Sequence, residues 1–251
     1  MNTIVIEAEQ VPAQAWRNGG GQTRELLVWP PKESLGGKAL CVGKGGARAA
    51  GGGHEAECFA AHTPSANQTA SASASATTDW QLRISRADIA CDGPFSAFAG
   101  VQRWFAVISG NGVVLHMPTA DGHTLDHHLL PGHKPLHFDG GLAPGCTLVD
   151  GSTQDLNLMA RGGKAIMLAV ETEEPWTANF ALCGIYTATS GVWTDGAQTI
   201  KLAAHSLLWI DSTSADSTSY STSSNTTFRF TANSTEPTRA WWLGYTPDTT
   251  P

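Results

Sequence analysis

Four arginines, Arg24, Arg83, Arg103 and Arg161, lie in or beside runs that read as β-strands. The chain has only 15 Lys and Arg, and Lys32, Lys38, Lys44 and Arg48 fall in a low-complexity stretch. An arginine inside a structured segment therefore carries information. Arg83 sits between Leu82 and Ile84, so on a strand it faces away from both. A buried guanidinium must be paired or must hold an anion, because an unpaired buried charge is very costly. The available pairs are Glu25, Asp92 and Asp155. The alternative is a carboxylate ligand held in a bidentate fork.

Close to Arg24 lies Trp16-Arg17-Asn18-Gly19-Gly20-Gly21-Gln22-Thr23-Arg24-Glu25. Consecutive glycines permit backbone geometry that turns main-chain N–H groups toward a ligand. The competing reading is a plain Asn-Gly turn. Asn18 offers both a donor and an acceptor. In Asp155-Leu156-Asn157-Leu158-Met159, residues 155, 157 and 159 share one strand face, which puts Asn157 opposite the leucines. The candidate ligand set is thus Asn18, Gly19, Gly20, Gly21, Arg24, Arg83, Arg103 and Asn157.

Other chemistries fit less well. Six histidines lie between His116 and His137, but no spacing supplies three or four convergent metal ligands. No metal and no cofactor are expected. There is no G-x-S-x-G, no cysteine in a nucleophile motif, and Glu173-Glu174 precede a proline as a surface turn would. No catalytic residue is assigned.

The elements that must position these residues are short and β-rich. Runs with β-branched and aromatic residues recur throughout, bounded by Gly, Pro, Asn and Asp, and no helical period persists over eleven or more residues. Ser109-Gly110-Asn111-Gly112 is a hairpin turn. The pattern predicts an all-β sandwich or barrel, with strands enough for two small barrels packed together and short helices at most. Two segments break it. Residues 32–78 are 29 of 47 Gly, Ala, Ser or Thr and cannot bury enough apolar surface to offset ordering, so a disordered insertion is expected. Residues 211–227 hold 12 Ser or Thr and read as a second disordered loop.

Net charge is −7, which argues against a broad nucleic-acid-binding face. The five cysteines are scattered, with no C-x-x-C pair, as in a reduced, cytoplasmic protein. The N-terminal residues lack the basic and apolar runs of a signal peptide, and no membrane span is expected.

Lined up, these segments resemble the HutD/Ves family of bicupin proteins. The likeness rests on residues 16–25, Leu82-Arg83-Ile84-Ser85, Asp92-Gly93-Pro94-Phe95 through Gln102-Arg103, Ile108-Ser109-Gly110-Asn111-Gly112, Phe138-Asp139-Gly140, and Asp155-Leu156-Asn157-Leu158-Met159-Ala160-Arg161. It covers residues 10–165 well once 32–78 is set aside. The resemblance implies one RmlC-like bicupin domain over residues 1–251. It also implies a non-catalytic protein that moderates histidine utilisation by binding a metabolite; the clustered arginines make the expected metabolite a small carboxylate, of the urocanate, formiminoglutamate or formate class. The alternative is a metal-independent cupin isomerase or hydrolase acting on a small polar metabolite. A homodimer is left open. The family usually has Trp where this chain has Leu82 and an acidic residue where it has Gln102, so either change would alter ligand preference if it lined the pocket.

Overall fold

The computed structural model describes residues 2–31, 80–171, 174–213, 226–233 and 237–248. In chain order the strands are β1 (Asn2–Glu7), β2 (Gln14–Ala15), β3 (Gly21–Trp29), β4 (Leu82–Ile89), β5 (Gly93–Pro94), β6 (Gln102–Ser109) and β7 (Val113–Pro118). They continue with β8 (Thr124–Leu129), β9 (Leu136–Asp139), β10 (Gly145–Leu148), β11 (Thr153–Ala160), β12 (Lys164–Ala169) and β13 (Trp176–Ala178). The last six are β14 (Leu182–Thr187), β15 (Gly191–Thr194), β16 (Thr199–Leu202), β17 (Ser206–Asp211), β18 (Thr226–Ala232) and β19 (Ala240–Thr246). The helical content of the described residues is two 3-10 turns, Ala8–Gln10 and Gly140–Leu142.

The strands form four sheets, and each half of the chain uses two. In the first unit a six-stranded sheet, β2-β3-β4-β11-β6-β9, faces a four-stranded one, β5-β10-β7-β8. In the second, β1-β17-β14-β19-β12 faces β13-β18-β15-β16. The expected barrels are therefore open, two-sheet units rather than closed cylinders. Strand β1 crosses over: it pairs with β17 in the second unit, while Ala8–Gln10 leads the chain back to the first.

Three of the hydrophobic clusters explain why the central strands are apolar on both faces. One fills the first unit, around Phe105, Leu115 and Phe138. One fills the second with Trp193, Phe228, Phe230 and Trp242. The third lies where the six- and five-stranded sheets pack, joining Leu82, Ile84, Leu156 and Leu158 to Leu182, Leu207, Trp241 and Tyr245. A strand covered on both faces reads as a nearly continuous apolar run.

Glycine sets the limits of packing in the second unit. A Cβ on Gly191 would lie 2.4 Å from the Phe230 ring, and one on Gly244 would lie 2.5 Å from the Phe180 ring. These aromatics use the space that a hollow barrel would leave open.

Strands β3 and β4 are antiparallel neighbours with Trp29 opposite Leu82, and Gln81 donates to the Trp29 carbonyl at 2.8 Å. Residues 32–78 therefore join two strand ends that already meet; their expected disorder lies outside the described residues. Of residues 211–227, only 211–213 and 226–227 are among the described residues, so the expected disorder of the rest lies outside them. Asp211 ends β17, with its carboxylate capping Thr213, and Thr226 and Thr227 open β18. Threonine suits a strand as well as a loop, so Ser/Thr content alone does not keep Thr226 and Thr227 out of a strand.

Candidate functional site

The six-stranded sheet directs alternate side chains into the first unit. On β4 these are Arg83, Ser85, Ala87 and Ile89, while Leu82, Ile84 and Arg86 face the second unit. On β11 Asn157 and Met159 point in, and on β6 Arg103 and Phe105 do. The antiparallel register sets Arg83, Met159 and Arg103 in one row, and Ser85, Asn157 and Phe105 in the next. The two arginines thus stand on the strands either side of β11, with Cα atoms roughly 10 Å apart. Together these residues line a cavity of 460 Å³. Trp16, Phe95 and Phe98 supply apolar wall, and Arg17 and Asn18 join it from the exposed loop before β3.

Arg103 is buried, with 8% of its surface exposed. Its Nε and Nη2 donate to one acceptor, Asn157 Oδ1, at 2.9 and 2.6 Å. Its guanidinium carbon lies 4.4 Å from the centre of the Phe95 ring and 5.6 Å from that of Phe138, within cation–π range. Burial, and then the like charge of Arg83, pull its pKa down to about 10, so it stays cationic at neutral pH. Among the described residues no carboxylate forms an ion pair with it. Arg83 differs: its Nε lies 2.9 Å from Glu25 Oε2, although the N–H is not aligned on that contact. Of the pairings open in the sequence, Glu25 is the one formed.

The nearest acid on β11 does not cancel this charge. Asp155 is fully buried; its Oδ2 accepts from Thr153 Oγ1 at 2.9 Å, and its Oδ1 has no hydrogen-bond partner. Burial pushes its pKa up to about 8, against the opposing pull of the Thr153 hydroxyl and Arg103. At pH 7 it is mostly a neutral acid. Burial likewise pushes the Cys146 thiol up to about 12. The interior is therefore net positive: two guanidiniums against the single Glu25 carboxylate. Such a surface is matched by an anion.

The expected residues divide. Arg83, Arg103, Asn157 and Asn18 line one cavity. Arg24 does not: it lies on the opposite face of β3, where Nη1 donates to the Val11 carbonyl at 2.6 Å and Nη2 approaches Glu9 at 3.8 Å. Gly19, Gly20 and Gly21 do not present a nest of N–H groups either. Gly19 has φ +71° and donates to the Trp16 carbonyl, and Gly20 donates to Asn18 Oδ1 at 3.1 Å, an Asx turn. Gly21 allows a close approach, since a Cβ there would lie 2.3 Å from the Asp88 carbonyl oxygen and 3.1 Å from the Trp16 ring. The glycine run seats Trp16, whose Nε1 donates to Thr23 Oγ1 at 2.8 Å.

Sequence reasoning missed Arg17, Thr23 and Ser85 as cavity residues. Ser85 was findable, two positions from Arg83 on the same strand. It also missed Arg86, buried at the junction of the two units with Nη1 2.6 Å from Glu9 Oε1. Leu82 and Gln102, the two departures from the family pattern, do not line the cavity. Leu82 is in the core between the units, and Gln102 is bonded to His137 on the surface. The remaining arginine, Arg161, stacks over Trp80 at 5.6 Å. Among the described residues no three His, Cys, Asp or Glu gather where they could hold a metal ion. The ring nitrogens of His116 are taken by Asp126 and Thr147.

The family model for HutD matches residues 65–228, which is more than half of the sequence. The chain belongs to the HutD family. Its relatives include Protein Ves of Citrobacter koseri, 26% identical over 189 residues that make up 75% of this chain and 73% of that protein. Among solved structures it is similar to HutD from Pseudomonas fluorescens SBW25, obtained in a formate condition. The TM-score there is 0.64 at 21% identity, covering 98% of both chains. Oxalate decarboxylase OxdC of Bacillus subtilis shares the fold more distantly, with TM-score 0.52 and 8% identity over 98% of this chain and 77% of that one. The HutD-family chain is thus an all-β bicupin, as the strand pattern and the motifs implied. No helix among its described residues is long and apolar enough to cross a membrane.

Proposed function

We propose that this HutD-family protein binds a small carboxylate metabolite inside its first unit and holds it without turnover. The observation that carries the reading is Arg103: a buried guanidinium facing a 460 Å³ cavity, oriented by an amide and by aromatic faces, with no ion-paired carboxylate among the described residues. Arg83 stands in the same row as a second cation. Ser85 and Asn18 add polar contacts, and Trp16, Phe95, Phe98 and Phe105 supply walls for an apolar body. Cavities of this size and mixed lining suit compact metabolites. Family membership supports an acid from histidine breakdown, of the urocanate, formiminoglutamate or formate class. Binding that acid would moderate histidine utilisation by withholding or sensing an intermediate.

The test is calorimetry of the purified protein with each of the three acids, beside an Arg103→Met variant of matched fold. The parent is expected to bind at least one acid, and the variant to lose most of that affinity. Ligand spectra recorded by NMR during long incubation should show no conversion. Absence of binding at millimolar concentration, or equal binding by Arg103→Met, overturns the reading; conversion of the acid overturns its non-catalytic part.

A further inference from the structure

The treatment of Arg103 differs from that of Arg86 and Arg83, its neighbours in the six-stranded sheet. Arg86 has the Glu9 carboxylate at 2.6 Å and Asp88 at 4.0 Å. Arg83 has Glu25 at 2.9 Å. Arg103, which lines the cavity, has a side-chain amide oxygen as its hydrogen-bond acceptor and no ion-paired carboxylate among the described residues. A carboxylate at that position would form the forked ion pair that guanidinium geometry favours. It would also cancel the charge. The strand does not forbid an acid on this face: Asp155, two residues earlier, points the same way and is turned to Thr153 instead.

We propose that Asn157 is a specificity-determining residue, whose neutral amide orients the Arg103 guanidinium and leaves its charge available to the ligand. The inference rests on the carboxylate reading above and names what makes the cavity choose an acid over a neutral molecule of the same shape. Asn157 Oδ1 fixes Nε and Nη2; the Phe95 face fixes the plane; Nη1 is left uncommitted among the described residues. The orienting cost is met before the ligand arrives, which raises affinity without adding a contact. An aspartate here would supply the same orientation but present the ligand with a neutral pair. Asn157 is therefore a positioning residue for Arg103, not only a wall of the cavity.

The experiment measures selectivity as well as affinity. Urocanate and formate are titrated by calorimetry against their primary amides, urocanamide and formamide, with the parent, Asn157→Asp and Asn157→Leu. For the acid that the parent binds, Asn157→Asp should weaken binding at least about tenfold, or about 1.4 kcal/mol. Affinity for the matching amide should change less than about threefold, so the acid-to-amide ratio collapses. A structural defect would weaken both ligands together and leave the ratio alone. Asn157→Leu removes the acceptor without adding charge, so it should lose acid affinity several-fold while still preferring acid to amide. A parent-like ratio in Asn157→Asp, or parent-like acid affinity in Asn157→Leu, overturns the inference and leaves the carboxylate reading standing. If the parent binds none of urocanate, formate and formiminoglutamate, both fall. If Asn157→Asp does not melt cooperatively, the leucine variant decides.

Discussion

Replacing Asp155 with asparagine should stabilise the protein, and by more as the pH rises. Asp155 is fully buried, with one oxygen on the Thr153 hydroxyl and the other unpartnered. Burial raises its pKa to about 8 in the folded chain, whereas an unfolded aspartate titrates near ~3.9. Between these values the folded state keeps a proton that the unfolded state releases. The folded chain then binds more protons than the unfolded one, so this group lowers stability as pH rises through that window. A shift of this size corresponds to at most about 6 kcal/mol across the whole window, and to a few kcal/mol once water penetration and relaxation are allowed for. Asparagine can still accept from Thr153 and does not titrate. Urea denaturation of both proteins between pH 4.5 and pH 8.5 reads the difference, in which other titrating groups largely cancel. The expected gap, variant minus parent, is small near pH 4.5, grows toward pH 8, and then levels off as Asp155 ionises in the folded state. The same ionisation places a negative charge near Arg103, so acid binding by the parent should weaken above about pH 8 while binding by Asp155→Asn does not. A gap that is flat with pH, or that shrinks as pH rises, refutes the assignment of Asp155 as a buried neutral acid.

Arg24→Met should leave acid binding within about threefold of the parent by calorimetry and cost roughly 1–2 kcal/mol in urea denaturation, because the Val11 carbonyl loses its donor; loss of binding in a folded variant would return Arg24 to the ligand site. Gly244→Ala should lower stability by about 1–3 kcal/mol, since its methyl would overlap the Phe180 ring. A neutral result in thermal melting would mean that the second unit is less tightly filled than its aromatics indicate. Replacing residues 32–78 with a short Gly/Ser linker should shift melting by only a few degrees, because Trp29 and Leu82 are already paired across the strands it joins. Loss of cooperative folding would show that the segment contributes to the fold.

The misplacement of Arg24 shows where a strand pattern stops being readable. Leu82-Arg83-Ile84 alternates without interruption, so the opposition of Arg83 to its apolar neighbours was visible in the sequence. Strand β3 does not alternate throughout: its pairing with β4 slips between Glu25 and Leu27. Val28 stands opposite Arg83, and counting back by twos from Val28 would put Leu26, Arg24 and Gln22 on the cavity face. The slip reverses that parity, so Thr23 reaches the cavity and Arg24 turns toward Val11 and Glu9. A bulge is one extra residue, and one residue moves every side chain beyond it to the other face. No residue type in Arg24-Glu25-Leu26-Leu27 marks the event. The second illegible feature was which buried face was hollow. Leu82, Ile84, Leu156 and Leu158 announced a core, but the same residues would suit either the interior of one unit or the junction of two. What separates the faces is the company kept by the residues between them. Arg83, Ser85, Asn157 and Arg103 gather several polar groups on one face, whereas the leucine junction takes in Arg86 with its Glu9 partner, and the four converge only because β4, β11 and β6 are adjacent in the sheet. That adjacency is long-range: residues 83, 103 and 157 meet across antiparallel pairings that local sequence does not encode. The arginines were thus legible as candidates one at a time, whereas the neutral amide that holds Arg103 took its meaning from the fold.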